Sequence, residues 1–439
     1  MANIKPFRGY RYNPEKTGGL REVVSPPYYN IKPSEKDELY NLSEYNSVRL
    51  FSGRSCEDDN ESSNRFTRAA DYLKNWIADG ILERDDTPAI YMYEQTLEVH
   101  NIQYQNRSFV ALVELEDFSN GNIRPCEEIR EVSRQDRYEF LTHTNADMSM
   151  ISCLYIEREK DLLNLMTDLS EEKPDVEFDS YDNIHQRLWK ITYKPTIDYI
   201  VERFKDLQLY ITDGQTRYET CLKYRDYMRA NNPNHTGKEP YNYTMVSLSN
   251  SNSDGIVILP VHREIKLTRK FREDYFVAGI QDHFKIEKII VDSQDEGLVQ
   301  TMKKQIATPR METKIAVYHS GDYFYRITLK DKEYIKKELL PDKSEAYCHL
   351  DMVVLNNLVI KDVLHVKDDE YENCVTSRRS SQECIRDIES GDADIMFIMN
   401  PVKAEQIRSV AREGEKMPKR TLSVFPKPSV GILINIKED

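Results

Sequence analysis

The stretch LYITDGQTRYETCLKYRDYM, residues 209–228, joins an apolar segment to a polar one through a single turn. Its apolar start predicts a strand, Asp213-Gly214 predicts the turn, and the remainder predicts a helix. A helix start leaves backbone N–H groups without partners and carries about half a positive charge, so it attracts anions. The turn therefore either caps the helix or holds a phosphate.

Four residues of this turn suit a phosphate site. Gly214 allows the backbone to approach a ligand closely, and Thr216 adds a hydroxyl donor. Arg217 can grip a phosphate through two N–H donors, and Asp213 could bind a metal ion or orient an attacking hydroxyl. The spacing equally allows a structural interpretation, in which Asp213 or Thr216 caps the helix and Arg217 pairs with a surface carboxylate.

The composition of the 439 residues is that of an acidic globular protein. The formal net charge is −14, and an acidic chain repels DNA and RNA, so we expect no nucleic-acid partner. The seven cysteines form no Cys-x-x-Cys pair, which predicts reduced thiols and no structural zinc site. Since neither a signal peptide nor an apolar membrane segment is evident, we expect a cytoplasmic protein without a membrane partner. The oligomeric state stays open, a homo-oligomer included.

Predicted helices and strands alternate irregularly, which indicates an α+β (mixed α/β) fold. The pattern changes near Thr268, where short strands and charged connectors begin. We therefore expect three parts: an α-rich N-terminal segment at residues 1–88, a central domain at 89–267 that contains the turn, and an additional α/β C-terminal domain at 268–439.

Three other places are weaker candidates. Glu127, in the segment RPCEEIREV, could act as a general base if the fold brings it near Asp213, or it could simply suit a solvated helix start. His262-Arg263 follows the apolar strand GIVILP, where a binding site or a hydrogen-bonded structural pair is possible. The basic cluster KMPKRTLSVFPK, residues 416–427, could receive a phosphate or form a solvated surface loop.

Ordered blocks along nearly the whole chain resemble the prokaryotic family catalogued as domain of unknown function 1015. The comparable blocks include HQRLW, one residue longer than the family's H-R-L-W, and LPVHR, which has Val261 in place of the family's threonine. The family's patterns are P-P-Y, W-L-x-x-G-I-L, Y-x-Y-E-Q, H-R-L-W, N-P-x-H-T-G-x-E-P-Y-N-Y, L-P-T-H-R and G-E-x-M-P. They lie here at residues 25–28, 76–82, 91–95, 185–189, 232–243, 259–263 and 414–418.

The hallmark of that family is D-G-H-H-R-Y-E-T, and a second signature is an H-E pair near the end of a strand. In this chain the hallmark reads DGQTRYET at residues 213–220, and the pair reads Cys126-Glu127. Both signatures have lost a histidine. Gln215, which replaces one of them, can form hydrogen bonds but cannot titrate.

The D-G-x-T-R turn is also similar to a motif of the ParB/sulfiredoxin-like superfamily, which includes free-serine kinases. This similarity implies a ParB/sulfiredoxin-like central domain and a small-molecule kinase that uses Mg²⁺ with ATP or ADP, with serine as the suggested substrate. Glu127 would then be the catalytic base, and Asp213 would position the hydroxyl or the metal ion. The implied phosphate- or nucleotide-binding residues are Gly214, Gln215, Thr216, Arg217, His262 and Arg263.

Three functions therefore remain open from the sequence. The first is a nucleotide-dependent phosphotransferase acting on a small hydroxyl metabolite. The second is a phosphatase of a small phosphorylated metabolite such as phosphoserine, and the third is a regulator that binds a nucleotide or metabolite without chemistry. The missing histidines favour the third function, whereas the retained Glu127, Asp213 and Arg217 favour one of the first two.

Overall fold

The computed structural model of the chain describes residues 2–28, 31–99, 102–128, 132–291, 297–307 and 312–438. The chain forms two compact units. The first contains Met1–Pro125, Ile129–Val257 and Val424–Asp439, and the second contains Cys126–Glu128 and Ile258–Ser423. Both units combine helices with sheets, which confirms the predicted α+β class. Among the described residues, no helix has enough length and apolar character to span a bilayer.

The strands of the described residues are numbered in chain order. They are β1 (Ile4–Lys5), β2 (Tyr10–Tyr12), β3 (Leu82–Arg84), β4 (Ile90–Val99), β5 (Ile102–Glu114), β6 (Ile123–Pro125), β7 (Ala146–Asp147), β8 (Ile151–Tyr155), β9 (Val176–Asp179), β10 (His185–Ile191), β11 (Leu209–Asp213), β12 (Tyr243–Asn250), β13 (Val257–Ile258), β14 (His262–Ile265), β15 (Phe284–Ile290), β16 (Lys314–Tyr318), β17 (Tyr323–Leu329), β18 (Val375–Arg378), β19 (Ile395–Ile398), β20 (Val424–Phe425) and β21 (Asn435–Ile436).

The α-helices are numbered in the same way. They are α1 (Pro14–Thr17), α2 (Pro33–Leu42), α3 (Val48–Phe51), α4 (Arg65–Ala78), α5 (Val132–Thr144), α6 (Asp161–Leu169), α7 (Lys194–Phe204), α8 (Gln215–Asn231), α9 (Glu273–Ile280), α10 (Leu298–Ile306), α11 (Glu345–Cys348), α12 (Asp351–Val354), α13 (Tyr371–Cys374), α14 (Ser381–Ser390) and α15 (Ala404–Arg412). Short 3₁₀ turns lie at Phe118–Asn120 and Pro240–Asn242, and π-helical turns lie at Ile335–Leu339 and Leu355–Lys361.

A large sheet with the strand order β6-β11-β8-β12-β5-β4-β10-β9 forms the centre of the first unit, and β1 pairs with β5. Strand β11 is parallel to β6 and antiparallel to β8. The pairing of β11 with β8 shifts register between Ile211 and Asp213. Such an irregularity re-aims the side chains that follow it, and here it lies directly before the polar turn.

Both faces of this sheet are buried. Side chains alternate along β4, as strand geometry requires. Ile90 and Met92 join a core that includes residues of α6, α7 and α8. Tyr91 and Tyr93 join a second core formed with residues of β2, α3 and α4.

The last segment of the chain returns to the first unit, and we call residues 424–438 the C-terminal strap. Backbone hydrogen bonds join Val430 to Ser25 at 3.0 and 2.9 Å, and Ile434 to Tyr10 at 3.0 and 2.9 Å. Strand β21 pairs with β7. Val430 and Ile434 belong to the second core, so the strap is an integral part of the first unit.

The second unit contains a sheet with the order β15-β17-β16-β19-β14-β18. Helices α10 and α14 contribute to its core through Met302 and Ile388, which are buried together with Phe324 and Ile398.

The expected domain borders relate to these units as follows. The predicted segment 1–88 lies within the first unit, and the predicted border at 267/268 lies about ten residues after the chain enters the second unit at Ile258. The division into three domains stays a prediction.

Candidate functional site

The polar turn of residues 213–217 has the predicted strand–turn–helix form. Strand β11 ends at Asp213, Gly214 is the N-cap residue, and α8 begins at Gln215. Gly214 has φ +85°, a left-handed conformation that glycine adopts without steric cost. Its carbonyl oxygen accepts a hydrogen bond from the Tyr218 N–H at 3.0 Å.

The start of α8 has features that attract anions. Its N-cap residue, Gly214, has no side chain that could form a cap hydrogen bond, and the capping roles of Asp213 and Thr216 stay a prediction. The N–H groups of Gln215, Thr216 and Arg217 precede the first intrahelical donor, Tyr218, and lie outside the hydrogen-bond ladder of the helix. They carry the positive end of the helix dipole.

Gly214 is also required by the side chain of Arg217, which folds back over it. A Cβ atom at position 214 would lie 2.6 Å from Nη2 and 2.8 Å from Nε of Arg217. Real Cβ atoms do not approach other atoms so closely, so any larger residue would displace the guanidinium. The glycine therefore sets both the backbone conformation of the turn and the position of its arginine.

Asp213 is bonded to two cations. Its Oδ2 accepts a hydrogen bond from Nη2 of Arg217 at 2.7 Å, and its Oδ1 accepts one from Nζ of Lys427 at 2.5 Å. The side chains of Asp213, Arg217 and Lys427 are 12%, 23% and 7% exposed. Arg217 also donates to the hydroxyl of Ser149. Together the three charged groups carry two positive charges and one negative charge at a helix N-terminus.

Lys427 is placed by the sheet of the first unit. The buried Gln95 donates from Nε2 to the Lys427 carbonyl oxygen at 3.0 Å. Gln186 donates to the hydroxyl of Ser429 at 2.7 Å, and the Ser429 N–H donates to the hydroxyl of Tyr93 at 3.4 Å. Tyr93, Gln95 and Gln186 lie in two of the sequence blocks noted above, and their contacts give those blocks a role in holding the strap.

A pocket lies beside the polar turn within the first unit. It contains about 500 Å³ of empty volume, part of it open to solvent. Leu50, Phe51 and Phe140 form apolar parts of its wall, and Arg137 and Arg217 contribute cationic groups. The guanidinium carbon of Arg137 lies 3.8 Å from the centre of an aromatic ring, that of Tyr28. An apolar wall with two arginines suits a ligand that combines a flat apolar group with an anion.

The other predicted residues of the turn are buried. Gln215 is 6% exposed and donates from Nε2 to Glu219 at 3.1 Å. Its Oε1 is buried and has no hydrogen-bond partner among the described residues. The Thr216 carbonyl oxygen accepts a hydrogen bond from the hydroxyl of Thr220 at 2.7 Å.

A second buried ion pair lies in the same unit and was not predicted. Nζ of Lys437 donates to Oδ2 of Asp147 at 3.0 Å, and their side chains are 0% and 5% exposed. Asp147 also accepts hydrogen bonds from the Met245 N–H and from Asn435. The nearby Cys221 is buried, which raises the pKa of its thiol to about 11. It is therefore a protonated, unreactive group at neutral pH.

Glu127 belongs to the second unit, whereas Asp213 belongs to the first. Its Oε1 accepts hydrogen bonds from the N–H groups of Thr421 and Leu422 at 2.5 and 2.8 Å. The adjacent Cys126 is buried, and burial raises the pKa of its thiol. The expected proximity of Glu127 and Asp213 stays a prediction.

His262 and Arg263 are buried in the second unit, at 0% and 1% exposure. Nδ1 of His262 accepts a hydrogen bond from the Met399 N–H at 3.1 Å, and burial lowers the pKa of His262 to about 3. The Arg263 guanidinium donates to main-chain carbonyl oxygens, among them those of His262 at 3.1 Å and Arg420 at 2.9 Å. These contacts are those of a structural pair. Arg263 bonds to the carbonyl oxygens of residues 419 and 420, and Glu127 bonds to the N–H groups of residues 421 and 422.

The basic cluster of residues 416–427 is only partly a solvated loop. Met417, Thr421 and Ser423 are buried, and Lys427 is buried against Asp213. Sequence inspection missed the role of Lys427 because nothing near it in the sequence indicates its partner.

A metal ion at Asp213 would have to compete with two cations for the carboxylate oxygens. Among the described residues, two other groups of possible ligands have their ligand atoms within 4.8 Å of one another. They are Cys56, Asp58 and Asp59, and Glu333, Glu345 and His349. Neither group includes a residue predicted from the sequence.

A sequence model of the family described as "Protein of unknown function (DUF1015)" matches residues 4–353 of the chain. No curated protein matches the chain.

Several solved structures are similar to it. One is a conserved hypothetical protein from Pyrococcus furiosus, with 12% identity, a TM-score of 0.33, and coverage of 75% of this chain and 95% of that chain. A second is a free serine kinase in complex with AMP, with 11% identity, a TM-score of 0.32, and coverage of 74% and 92%. A third is SbnI from Staphylococcus aureus with a C-terminal truncation, with 10% identity, a TM-score of 0.33, and coverage of 72% and 82%. TM-scores this low leave the ParB/sulfiredoxin-like central domain a prediction.

Proposed function

We propose that this chain, which belongs to the DUF1015 family of proteins of unknown function, is a nucleotide-dependent phosphotransferase. In this proposal the turn of residues 213–217 binds a phosphate of ATP or ADP, and the phosphoryl group passes to the hydroxyl of a small metabolite. Serine is the first substrate to test.

One observation carries the proposal: the carboxylate of Asp213 is bonded to two cations at the start of α8. Phosphoryl transfer depends mostly on positioning and on stabilising negative charge. Backbone N–H groups, a helix N-terminus and an arginine supply that stabilisation. Gly214 permits a close approach of the phosphate, and Gln215, Thr216 and Arg217 contribute donors.

The adjacent pocket supports a nucleotide rather than a simple anion. Small-molecule sites are lined mainly by apolar side chains with a few polar or charged groups, and the wall of this pocket has that composition. The apolar wall of Leu50, Phe51 and Phe140 suits a flat base, and Arg217 belongs both to the pocket and to the turn. A base in the pocket would therefore place its phosphates at the start of α8.

The remaining roles are assigned as follows. Mg²⁺ would shield the negative charge of the phosphates when bound. Asp213 would hold that ion or orient the acceptor hydroxyl, and Glu127 of the second unit would accept the hydroxyl proton. We leave His262 and Arg263 out of the site because the hydrogen bonds of both serve the main chain of the second unit.

A regulator that binds the same nucleotide without turnover is the second candidate. Gln215 and Cys126 favour it, because each stands where the resembling family has a histidine. In this case the turn would bind its ligand as described, and no product would form.

Phosphorus NMR of the protein with Mg²⁺ tests the proposal. The protein would receive ATP or ADP with L-serine, and O-phosphoserine alone in a separate sample. We expect phosphoserine to form, and we expect Asp213→Asn and Glu127→Gln to abolish its formation. Asp198→Asn and Glu405→Gln are matched controls, since these carboxylates are exposed and each pairs with a lysine or arginine of its own helix.

The other outcomes are equally informative. Release of phosphate from O-phosphoserine alone would identify a phosphatase that uses the same turn. Nucleotide binding without turnover, detected as a rise in the melting temperature, would identify the regulator. Absence of both binding and turnover would refute the proposed function.

A further inference from the structure

We propose that a pocket of the second unit is a further ligand site, for a small organic anion that carries a flat ring, of the class of a nucleoside monophosphate. The pocket contains about 930 Å³ of empty volume, part of it open to solvent. Its wall is formed by side chains of residues 267–279, a segment that runs into α9, and by residues 362–365. The proposal does not rest on the function assigned to the turn of residues 213–217.

The charge of the wall favours an anionic ligand. The run KLTRKFR, residues 266–272, contains four cations and no carboxylate, in a chain whose net charge is −14. Three of these cations line the pocket, namely Arg269, Lys270 and Arg272. Among the described residues of the wall, Asp362 is the carboxylate that opposes them. Cations that converge on one concave surface raise the local concentration of anions there.

Two of these cations have no carboxylate partner within the described ranges of the chain. Nη2 of Arg269 donates to the Leu364 carbonyl oxygen at 2.8 Å, which fixes the guanidinium at the pocket and leaves its other N–H groups for a ligand. Lys270 forms no ion pair or hydrogen bond with the residues that the structure describes. Lys266 of the same run differs, because its ammonium is bonded to Asp394. A guanidinium beside an ammonium suits the oxygens of a phosphate.

The wall also offers a surface on which a flat ring can stack. The guanidinium carbon of Arg272 lies 3.9 Å from the centre of the Tyr275 ring, and Tyr275 is 65% exposed. Phe271, also in the wall, lies beside the buried Phe276, with 5.8 Å between the ring centres. Rings of nucleobase type stack on aromatic side chains and on guanidinium planes. The ring of the ligand would therefore lie next to the cations that bind its phosphate.

The pocket is formed before a ligand arrives. A Cβ atom at Gly279 would lie 2.7 Å from Cγ1 of Val363, so the glycine allows α9 to pack directly against residues 362–365. Phe276 and Leu364 anchor the two segments, since both are buried. A ligand that enters a preformed pocket pays little for ordering the protein.

Isothermal titration calorimetry of the full chain with AMP, adenosine and inorganic phosphate tests the proposal. AMP carries both the ring and the phosphate, and each of the other probes carries one of them. We expect the double variant Arg269→Gln/Lys270→Gln to weaken AMP binding by at least about tenfold, because charged hydrogen bonds are lost. Adenosine should bind wild type more weakly than AMP does, and the double variant should change its binding by less than about twofold.

Lys266→Gln is the matched control. It removes one positive charge from the same run, at a lysine that is bonded to Asp394, and it should bind AMP as wild type does. Arg217→Gln separates this site from the turn of residues 213–217. If the turn also binds AMP, Arg217→Gln weakens one binding event and the double variant weakens the other. If the proposed function fails, the binding event that remains is weakened in the double variant only.

Four results would overturn the proposal: no AMP binding by wild type, equal AMP binding by wild type and the double variant, equal weakening of AMP and adenosine, or phosphate binding as tight as that of AMP. The third would make the cations structural, and the fourth would remove the role of the ring. Lys270→Gln alone is the second variant in case the double variant does not fold, since Lys270 is bonded to none of the described residues. We expect it to bind AMP severalfold more weakly, and unchanged AMP binding would also overturn the proposal.

Discussion

Gly214→Ala should destabilise the protein through two separable effects at the start of α8. The first is conformational, because Gly214 has φ +85°. A residue with a Cβ atom loses about 1–2 kcal/mol in this region, and alanine recovers about 0.4–1 kcal/mol because it restricts the unfolded chain. The net cost of the first effect is therefore about 0.5–1 kcal/mol.

The second effect is displacement of Arg217. The new Cβ atom would lie 2.6 Å from Nη2 of Arg217, so the guanidinium must move away from Asp213 and Ser149. Loss of a partly buried ion pair adds about 1 kcal/mol. We expect a total cost of about 1.5–2 kcal/mol in the free energy of unfolding. ADP binding should also weaken by about tenfold, since the phosphate would lose one charged partner.

Gly237→Ala is the control that isolates the first effect. Gly237 also has a positive φ, +89°, but a Cβ atom there would meet nothing within 4 Å. We expect it to cost only about 0.5–1 kcal/mol and to leave ADP binding unchanged. Urea titrations followed by circular dichroism measure the stabilities, and calorimetry measures the binding. Equal destabilisation by the two variants, with ADP binding intact in both, would refute the described role of the glycine.

Three further predictions concern buried charges. Lys437→Met should cost about 3–5 kcal/mol in unfolding titrations because it leaves Asp147 buried without its cation, whereas Lys194→Met, which removes an exposed pair, should cost less than about 0.5 kcal/mol. Burial lowers the pKa of His262 to about 3, so the unfolded state binds the proton at a higher pH than the folded state does. The free energy of unfolding of wild type, relative to that of His262→Gln, should therefore fall by up to about 1.4 kcal/mol per pH unit as the pH drops from about 6 to 4. Burial raises the pKa of Asp351 to about 6, so the folded state binds the proton more readily, and the free energy of unfolding decreases as the pH rises through 6. We therefore expect Asp351→Asn to be about 2 kcal/mol more stable than wild type at pH 8 and to lose this advantage near pH 4. Unfolding titrations at several pH values test the predictions for His262 and Asp351. A stability difference between wild type and variant that does not change with pH would contradict them.

The local features of the site could be predicted from the sequence. The apolar run before Asp213, the Asp-Gly turn and the following helix depend on neighbouring residues, and the structure has all three. The left-handed conformation of Gly214 follows from the same pattern. The α+β class was also accessible, because it depends only on the alternation of elements.

The long-range partners could not be predicted. Lys427 pairs with Asp213, which is 214 residues away in the sequence, and Lys437 pairs with Asp147, which is 290 residues away. No local sequence pattern indicates such pairs. A glutamine in a strand such as Gln95 looks like an exposed polar residue until its neighbours are known.

Burial also changed the interpretation of one predicted pair. His262-Arg263 at a strand end has the composition of a binding site, yet both side chains are enclosed and bonded to the main chain. Whether a polar pair at a strand end is exposed depends on the segments that pack over it, and these are distant in sequence. The basic segment of residues 416–427 differs in the opposite direction. It has the composition of a solvated loop, yet one of its lysines, Lys427, is buried at the candidate site.

The most direct test of the account is a crystal structure of the protein grown with ADP and Mg²⁺. We predict that a phosphate group will lie within hydrogen-bonding distance of the N–H groups of residues 215–217 and of the Arg217 guanidinium, with the base in the adjacent pocket. ADP bound at any other place, with the bonds of Asp213 to Arg217 and Lys427 unchanged, would contradict the proposal that this turn is the phosphate site.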